Sequence, residues 1–490
     1  MKSIMHIVLG LIVSGSCFAD TWTVDDDGKA DFDNIQAAVD AASDGDEIVV
    51  MPGTYTRASA SQVVYLIDKD VWLHSSGGAE VTLIDGEGIR RGIYCSYRTS
   101  NTIIEGFTIT NCYISANGGG MRNSVSSPTI INCTFTNNIA GEYGGGISCE
   151  YGSNPTLTNC TFTNNSAELY GGGMYNDINS HPTLTDCTFK NNTANEGGAI
   201  FNWASNPTLT NCDFIDNIAI DLGGGAIFND ESNPTLHNCT FRGNIANRED
   251  GYSLVGGGAI YNYESNPTLH TCIFSNNSSA FSGGGMRNDI SSPTLTNCTF
   301  KNNTSGVSGG AIVNGNGSNP NLTNCTIQYN NTAGDNGGGI HNSASASNTT
   351  LTDCVVCGNV PDQINGDYTD AGENTIADDC IDDEDGDGID DLVDNCYLYN
   401  PDQADCNGNE VGDICDIADG TSSDWNENDI PDECECISDI ALDDGQVNIH
   451  DLMLLIAVYG TSSELADLNG DGIVKIHDLL ILINAWGACP

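Results

Sequence analysis

A glycine-rich phrase recurs nine times between residues 118 and 342, and this repetition restricts the possible folds more than any other feature. Most copies contain two or three glycines, then an apolar residue and, two positions later, Asn, as in GGGMRN at 118 and GGAIFN at 197. A Pro-Thr-Leu-type segment, an Asn-Cys-Thr-Phe phrase and paired Asn follow, with a spacing of mostly 25 to 29 residues. A unit of this length cannot bury its own apolar face, so the copies must stack on one another.

The composition of each unit indicates strands rather than helices. The apolar runs are short, β-branched and bounded by Gly, Asn or Pro, and each unit holds three strand candidates such as Gly-Met-Tyr-Asn, Thr-Leu-Thr and Cys-Thr-Phe. We therefore predict an all-β fold, a right-handed parallel β-helix over residues 57–365. Its coils, about twelve in number, would lie about 4.8 Å apart, the usual spacing of strands.

Stacking turns each position of the repeat into a column along the axis. We expect the apolar residue after the glycines, the Leu of Pro-Thr-Leu and the Phe of Cys-Thr-Phe to face inward. The Asn before each repeat cysteine is expected to adopt left-handed backbone and to hydrogen-bond along the axis. The repeat cysteines are expected to be mostly buried thiols, with disulfides as the alternative, because stacked Cβ atoms point in parallel. They are Cys133, Cys160, Cys187, Cys212, Cys239, Cys272, Cys298, Cys325 and Cys354.

Two segments resemble known β-helix families. Residues 21–56, from Thr-Trp-Thr-Val-Asp through Pro-Gly-Thr-Tyr, look like the opening of pectinesterase and pectate-lyase-like β-helices, in which an amphipathic helix covers the first coil. Ile35, Ala38, Val39 and Ala42 would share the apolar face of that helix. The repeats resemble those of the polymorphic outer-membrane protein family, with paired GGAI and FxxN motifs. The C-terminus departs from that family, since it lacks an alternating barrel-strand pattern.

The N-terminus and the charge balance predict an exported protein. Lys2, an apolar stretch from Ile4 to Val13 and the site around Ala19 resemble a cleavable export signal. That stretch is too short to span a bilayer, and no longer apolar run follows. The net charge is −53, and residues 361–490 hold 34 of the 67 acidic residues with one base, Lys475. Such a tail excludes nucleic acid as a partner and favours bound cations.

Residues 380–435 resemble thrombospondin type 3 and related calcium-binding repeats. Oxygen-bearing side chains at alternating positions of a tight loop suit Ca²⁺, which takes six to eight oxygen ligands. The candidate ligands form three sets interleaved with cysteines, which are disulfide candidates. The sets are Asp383, Asp385, Asp387, Asp391 and Asp394; Asp405, Asn407, Asn409, Asp413 and Asp416; and Asp424, Asn426, Asn428, Asp432 and Glu435.

Residues 437–488 look like a dockerin module, two EF-hand-like loops each followed by an apolar helix. The second loop offers four oxygen ligands, Asp467, Asn469, Asp471 and Asp478. The first loop is degenerate, because apolar residues occupy its first two ligand positions, so calcium binding there stays open. The resemblance implies docking onto a cohesin-type receptor or cell-surface scaffold.

Two outward columns of the β-helix are candidates for ligand binding. Aromatic rings beside carboxylates suit sugar rings, through stacking and hydrogen bonds to hydroxyls. The glycan-binding candidates are Tyr175, Asp177, Phe201, Trp203, Phe228, Asp230, Tyr261 and Tyr263. Three interpretations remain open: the rings stack only for stability, they bind glycan without chemistry, or two carboxylates two coils apart hydrolyse it. A lyase is less favoured, because few bases occur in the repeats.

Together these patterns predict an exported, calcium-binding adhesion or glycan-binding solenoid attached through its C-terminal module, with a polysaccharide-degrading enzyme as the alternative. The domain boundaries that we expect are a signal at 1–19, a cap with the first coil at 20–56, the repeats at 57–365, a linker at 366–379, acidic repeats at 380–435 and the dockerin-like module at 436–490.

Overall fold

A computed structural model describes residues 19–247, 256–343, 346–380, 411–420, 422, 446–447, 449–463, 466–468, 472–484 and 487–488. The chain forms two compact units, residues 1–379 and residues 380–490. The predicted signal segment and most of the predicted acidic repeats lie outside the described residues. Among the described residues, no helix has the length and apolar character needed to cross a membrane.

The N-terminal unit is a right-handed parallel β-helix of about twelve coils, as predicted. Sheet 1 contains the strands that follow the glycines: Gln62–Ile67, Arg91–Ser96, Met121–Ser124, Ile147–Glu150, Met174–Asn176, Ile200–Trp203, Ile227–Asp230, Ile260–Tyr263, Met286–Asp289, Ile312–Gly315, Ile340–Asn342 and Ile364–Asn365. Sheet 2 contains Thr21–Val24, Glu47–Val50, Trp72–Ser75, Ile103–Glu105, Thr129–Ile131, Thr156–Thr158, Thr183–Thr185, Thr208–Thr210, Thr235–His237, Thr268–His270, Thr294–Thr296, Asn321–Thr323, Thr349–Thr352 and Tyr368–Asp370.

Two further sheets complete each coil. Sheet 3 contains Gly53–Tyr55, Thr82–Asp85, Thr108–Thr110, Thr134–Thr136, Thr161–Thr163, Thr188–Lys190, Asp213–Ile215, Thr240–Arg242, Ile273–Ser275, Thr299–Lys301, Thr326–Gln328, Val355–Cys357 and Thr375–Ala377. Sheet 4, which the sequence did not predict, contains Tyr113–Ile114, Ile139–Ala140, Ser166–Ala167, Thr193–Glu196, Ile218–Gly223, Ile245–Ala246, Ser278–Ser279, Thr304–Ser305 and Asn331–Thr332.

A short helix covers the first coil. Helix α1, Ile35–Ala41, begins after Asn34, whose side chain accepts a hydrogen bond from the backbone N–H of Ala37 at 2.9 Å. Ile35, Ala38 and Val39 are buried against the coil, together with Ala42 just beyond the helix. This arrangement confirms the predicted cap, which a solenoid needs because its end coil would otherwise expose its core.

Three apolar columns fill the interior, as predicted. Along sheet 3 the inward rings stack face to face, with centroids 4.3 to 5.2 Å apart and every ring fully buried. This column contains Phe135, Phe162, Phe189, Phe214, Phe241, Phe274 and Phe300. Burial of such a side chain contributes about 1.5–3 kcal/mol, so these columns are a main source of stability.

A buried amide column follows the Phe column. The Asn of each FxxN-type motif is buried, and from Asn165 to Asn330 its Nδ2 donates both to Oδ1 of the next Asn, at 2.8 to 3.0 Å, and to a Phe carbonyl, as Asn165 does to Phe135. At the two ends of the column, Asn138 and Asn359 donate to the carbonyls of Ile109 and Ile327 instead. Because both hydrogens and the oxygen are used, the buried amides leave no unpaired group. The column contains Asn138, Asn165, Asn192, Asn217, Asn244, Asn277, Asn303, Asn330 and Asn359.

The Asn residues before the repeat cysteines adopt left-handed backbone, as predicted, with φ between 50° and 55°. Several of their amides hydrogen-bond between coils, for example Asn159 Nδ2 to Asn132 Oδ1 at 2.8 Å. The members are Asn132, Asn159, Asn211, Asn238, Asn297 and Asn324.

The nine repeat cysteines are free and buried, which confirms them as apolar thiols of the core. The hydrogen bond with the Cys160 thiol, together with burial, raises the pKa of Cys187 to about 12, so the protonated form is retained. Cys357, Cys380 and Cys415 are disulfide-bonded.

In the C-terminal unit, the described residues include three helices, α2 (Asp413–Asp419), α3 (Ile449–Ala457) and α4 (Ile476–Asn484). Strand Gln446–Val447 pairs antiparallel with Gly487–Ala488. Helices α3 and α4 share a small core that includes Leu455, Val474 and Leu482.

A second buried Asn column, along sheet 1, is interrupted by a cysteine. From Asn176 to Asn342 each amide donates to the next at 2.8 to 2.9 Å. Cys149 stands between Asn123 and Asn176, where it accepts only a long contact from Asn123 Nδ2 at 3.8 Å to its sulfur. The Oδ1 atoms of Asn123 and Asn176 have no hydrogen-bond partner.

We expect Cys149→Asn to stabilise the β-helix by about 1 kcal/mol, because the new amide accepts from Asn123 and donates to Asn176. Urea unfolding of the full chain measures this, with Cys149→Ala as the matched control that removes the thiol without adding an amide. A Cys149→Asn variant no more stable than Cys149→Ala would contradict the hydrogen-bond explanation.

Candidate functional site

The outer face of sheet 1 carries one column in which acids and aromatic rings alternate from coil to coil. Trp203 pairs in register with Asp230, which pairs with Tyr263, and Asp177 follows the strand of the preceding coil at the same position. We name Asp177, Trp203, Asp230 and Tyr263 the acid–aromatic column. Trp203 and Tyr263 are 42% and 37% exposed, and the two acids are partly buried. Its two acids lie two coils apart, about 9.6 Å by strand spacing.

The other four glycan-binding candidates lie beneath the surface. Tyr175, Phe201, Phe228 and Tyr261 are 3% to 8% exposed, although they point away from the main core. They form a separate apolar cluster with Tyr143, Tyr170 and Leu222 packed on it. The expectation that sugar stacks on these four rings is therefore corrected: other side chains cover them, and the surface available to a ligand belongs to the acid–aromatic column.

The covering side chains come from the segment just before the glycines. Tyr143 and Tyr170 stack on each other at 5.2 Å, and each lies on a ring of the next coil, Tyr143 on Tyr175 at 4.7 Å and Tyr170 on Phe201 at 4.4 Å. Backbone bridges join Tyr143 to Tyr170 and Tyr170 to Glu196. We name Tyr143, Tyr170 and Glu196 the covering row, in which a carboxyl occupies the third position.

Glu196 is a titratable group in an unusual environment. Burial, with the nearby Asp221 and Asp230, raises the pKa of Glu196 to about 7. Burial and the neighbouring Glu231 and Glu264 also raise the pKa of Asp230. Within the described part of the chain, the side chains of Glu196, Asp230 and Asp177 form no hydrogen bond or ion pair. Carboxyls with raised pKa values at an exposed face are typical of functional sites.

In the coils on either side of the acid–aromatic column, the acid at the same register position is paired with an arginine. Arg122 binds Glu150 in a bidentate pair, with N–O distances of 2.6 and 3.1 Å. Arg287 Nε lies 2.8 Å from Asp289 Oδ2, which also accepts from the Tyr261 hydroxyl at 2.7 Å. At this register position of sheet 1, the acids without partners are therefore confined to the middle coils.

Of the predicted calcium ligands, four lie in the described part of the chain: Asp413, Asp416, Asp467 and Asp478. Asp413 begins helix α2, and Asp416 in the same helix is buried. The remaining candidates of the acidic repeats, together with Asn469 and Asp471, lie outside the described residues. In the regions that are described, no group of three or more His, Cys, Asp or Glu side chains is arranged to hold a metal ion.

In the second loop of the dockerin-like module, the described residues include two features that suit a calcium loop. Gly472 adopts φ 85°, and its N–H donates to Asp467 Oδ2 at 2.6 Å. Asp478, in the first turn of α4, is buried and accepts from the Lys475 N–H at 2.7 Å. A buried carboxylate and a glycine at the sharp turn fit a hard cation that takes oxygen ligands. Asp467, Asn469, Asp471 and Asp478 are the residues that would hold Ca²⁺.

Family models identify both parts of the chain. A model of the right-handed β-helix region matches residues 76–214, 168–282 and 225–390, which together cover more than half of the chain. The chain therefore belongs to the right-handed β-helix proteins. A dockerin type I model matches residues 443–486, so the chain also carries a dockerin domain, a module that binds cohesins and that is typical of extracellular or cell-surface proteins. Comparison with curated protein sequences finds no match.

Among solved structures, similar chains include three polysaccharide lyases. A PL6 family polysaccharide lyase from Pseudopedobacter saltans has 13% identity and a TM-score of 0.44, over 70% of this chain and 90% of that one. A pectate lyase has 16% identity and a TM-score of 0.33, over 70% and 72%. A PL6 alginate lyase solved with a trisaccharide has 15% identity and a TM-score of 0.35, over 69% and 84%. At these TM-scores we draw no functional conclusion from them.

The titration of Glu196 makes the stability of the β-helix depend on pH. The folded chain holds the Glu196 proton more tightly than the unfolded chain, in which the pKa of Glu is about 4.3. The stability that this proton contributes is therefore fully present below about pH 4 and is lost as the pH rises through about 7. We expect Glu196→Gln to reduce the fall in melting temperature between about pH 5 and about pH 8. The exposed Glu168→Gln on the preceding coil is the matched control; an equal effect of both variants would contradict the assignment.

Proposed function

We propose that the protein binds a polysaccharide on the acid–aromatic column and attaches to a cohesin-bearing scaffold through its dockerin domain. The observation that supports glycan binding best is the exposure of two aromatic rings, Trp203 and Tyr263, on a rigid sheet beside carboxylates without partners. An exposed ring face packs on the apolar face of a pyranose, and a neighbouring carboxylate accepts hydrogen bonds from its hydroxyls. Because the sheet holds these groups in place, little conformational entropy is lost on binding.

The ring faces can be tested by substitution. We expect Trp203→Ala and Tyr263→Ala together to abolish retention of the full-length protein on polysaccharides that the wild type binds, since stacking area is lost. The melting temperature should change little, because both rings are substantially exposed. Trp72→Ala is the matched control, with an indole 39% exposed on sheet 2. Retention unchanged in the double variant, or equally reduced by Trp72→Ala, would refute the site.

The dockerin domain offers a docking surface that its two helices repeat. Helix α3 exposes Ile449, Met453 and Ile456, and α4 exposes Ile476, Leu480 and Ile483, all between 48% and 64%. Each set has the i, i+4, i+7 spacing of one helix face, so each helix presents an apolar stripe. Exposed apolar stripes of this kind mark protein contacts, and a cohesin is the partner that the family implies.

Calcium should control that attachment. We expect Asp467→Ala to abolish cohesin binding, because it removes both a ligand and the acceptor for the Gly472 N–H, and metal affinity and folding are linked. Calorimetric titration of the full-length chain with a cohesin, with and without calcium, measures this. Asp335→Ala, an exposed acid of the β-helix, is the control. Calcium-independent binding, or undiminished binding by Asp467→Ala, would contradict the proposal.

Hydrolysis of the bound glycan is a second candidate, favoured by the pKa of Glu196. A carboxyl still protonated near neutral pH can protonate a glycosidic oxygen, while a second acidic side chain, that of Asp177 or Asp230, would activate water or attack the sugar. Glu196→Gln should then abolish product formation and preserve binding. If the wild-type protein binds a glycan but releases no product over long incubation, hydrolysis is contradicted and glycan binding is the function.

A further inference from the structure

Among the described residues, the charged side chains around the acid–aromatic column are acidic, apart from two arginines that are already paired. Asp177 and Asp230 flank Trp203 in neighbouring coils, and Glu231 and Glu264 follow Asp230 and Tyr263 in exposed turns. Glu196 approaches from the covering row. The bases nearest along sheet 1, Arg122 and Arg287, are already paired with Glu150 and Asp289. A ligand that lies on Trp203 therefore meets acids and no available base in the described part of this face.

We propose that the polysaccharide bound on the acid–aromatic column is a linear glycan that carries protonated amino groups, as a polymer of glucosamine does. This inference rests on the proposed function, since it names the class of glycan for the same site. Asp177 and Asp230 would each accept hydrogen bonds from an ammonium group, while Trp203 between them packs on a sugar ring. Charge-assisted hydrogen bonds of this kind are about twice as strong as neutral ones.

The spacing of the column suits an extended chain. Acid and ring alternate at each coil, about 4.8 Å apart, so equivalent acids recur about every 9.6 Å. That distance is comparable to the length of a disaccharide unit in an extended β-1,4-linked polymer. The ligand chain would run parallel to the axis of the β-helix, with alternate amino groups directed towards the carboxylates.

Electrostatics distinguishes this ligand from a uronate polymer. The carboxylates repel one another, which contributes to the raised pKa values of Asp230 and Glu196. An ammonium group relieves that repulsion, whereas a uronate carboxylate adds to it and finds no arginine to pair with. A neutral glycan would use the ring faces alone and leave the acids without partners.

The test is calorimetric titration of the full-length protein with glucosamine hexasaccharide, its fully N-acetylated counterpart and a galacturonic acid oligomer, at physiological salt with calcium present. We expect the amine-bearing hexasaccharide to bind about tenfold more tightly than the acetylated one, and the uronate not to bind. The double variant Asp177→Asn with Asp230→Asn should lose about tenfold in affinity for the amine-bearing ligand alone.

A charge-matched control is essential, because a chain of net charge −53 attracts any polycation. Asp213→Asn with Asp335→Asn removes two exposed acids that lie outside the acid–aromatic column and should leave the affinity unchanged. An equal loss in this control, or a preference for the acetylated or uronate ligand, would overturn the inference about amino groups while leaving glycan binding intact. No binding of any glycan, or binding insensitive to Trp203→Ala, would overturn the proposed function as well.

Discussion

Backbone hydrogen bonds between successive coils hold each residue above its counterpart, about 4.8 Å away. Like side chains therefore lie on like, and every column must suit its own copies. Phenylalanine rings stack at 4.3 to 5.2 Å, and buried amides each donate to the next. A column of identical buried amides is stable because each Asn has both donors and an acceptor. Ionised acids have acceptors but no donors, so a column of them could not form these bonds. The same constraint explains why two amide oxygens have no partner, since Asn176 follows Cys149 in its column and Asn123 follows Cys95.

Much of this could be predicted from sequence because the repeat itself encodes it. The length of the repeat predicted the stacking of coils. The apolar and aromatic positions predicted the inward columns, and the Asn before most repeat cysteines predicted the left-handed bends. The cap helix was predictable from one amphipathic face. The fourth sheet was not, because its strands are mostly two residues long and occupy the segment whose length and composition vary most from coil to coil.

The candidate site could be predicted only in part for the same reason. The sequence identified two outward columns, but not that Tyr143 and Tyr170 cover one of them, since these tyrosines lie in the variable segment and occur in two coils only. The raised pKa of Glu196 also depends on a contact between segments, with no local pattern to reveal it. The sequence signal available for this cover was the tyrosine that stands directly before the glycines in two adjacent coils.

The acid–aromatic column stands out because it departs from the like-on-like rule. Alternation of Asp, Trp, Asp and Tyr provides neither continuous stacking nor ion pairing along the axis, so internal stability does not explain it. The ends of the column, in contrast, have arginine partners. A rigid face with exposed rings and unpaired acids, on a chain that also carries a dockerin domain, is the arrangement expected of a tethered glycan binder.

Hydroxyl-radical footprinting of the full-length protein, with and without a bound glycan, tests the position of this face most directly. Oxidation of Trp203 and Tyr263 should fall on glycan binding, while that of Trp72 and Tyr368, both exposed on sheet 2, should not change. Protection of Trp72 or of the threonine-rich sheet 2, with Trp203 and Tyr263 oxidised as before, would contradict the site.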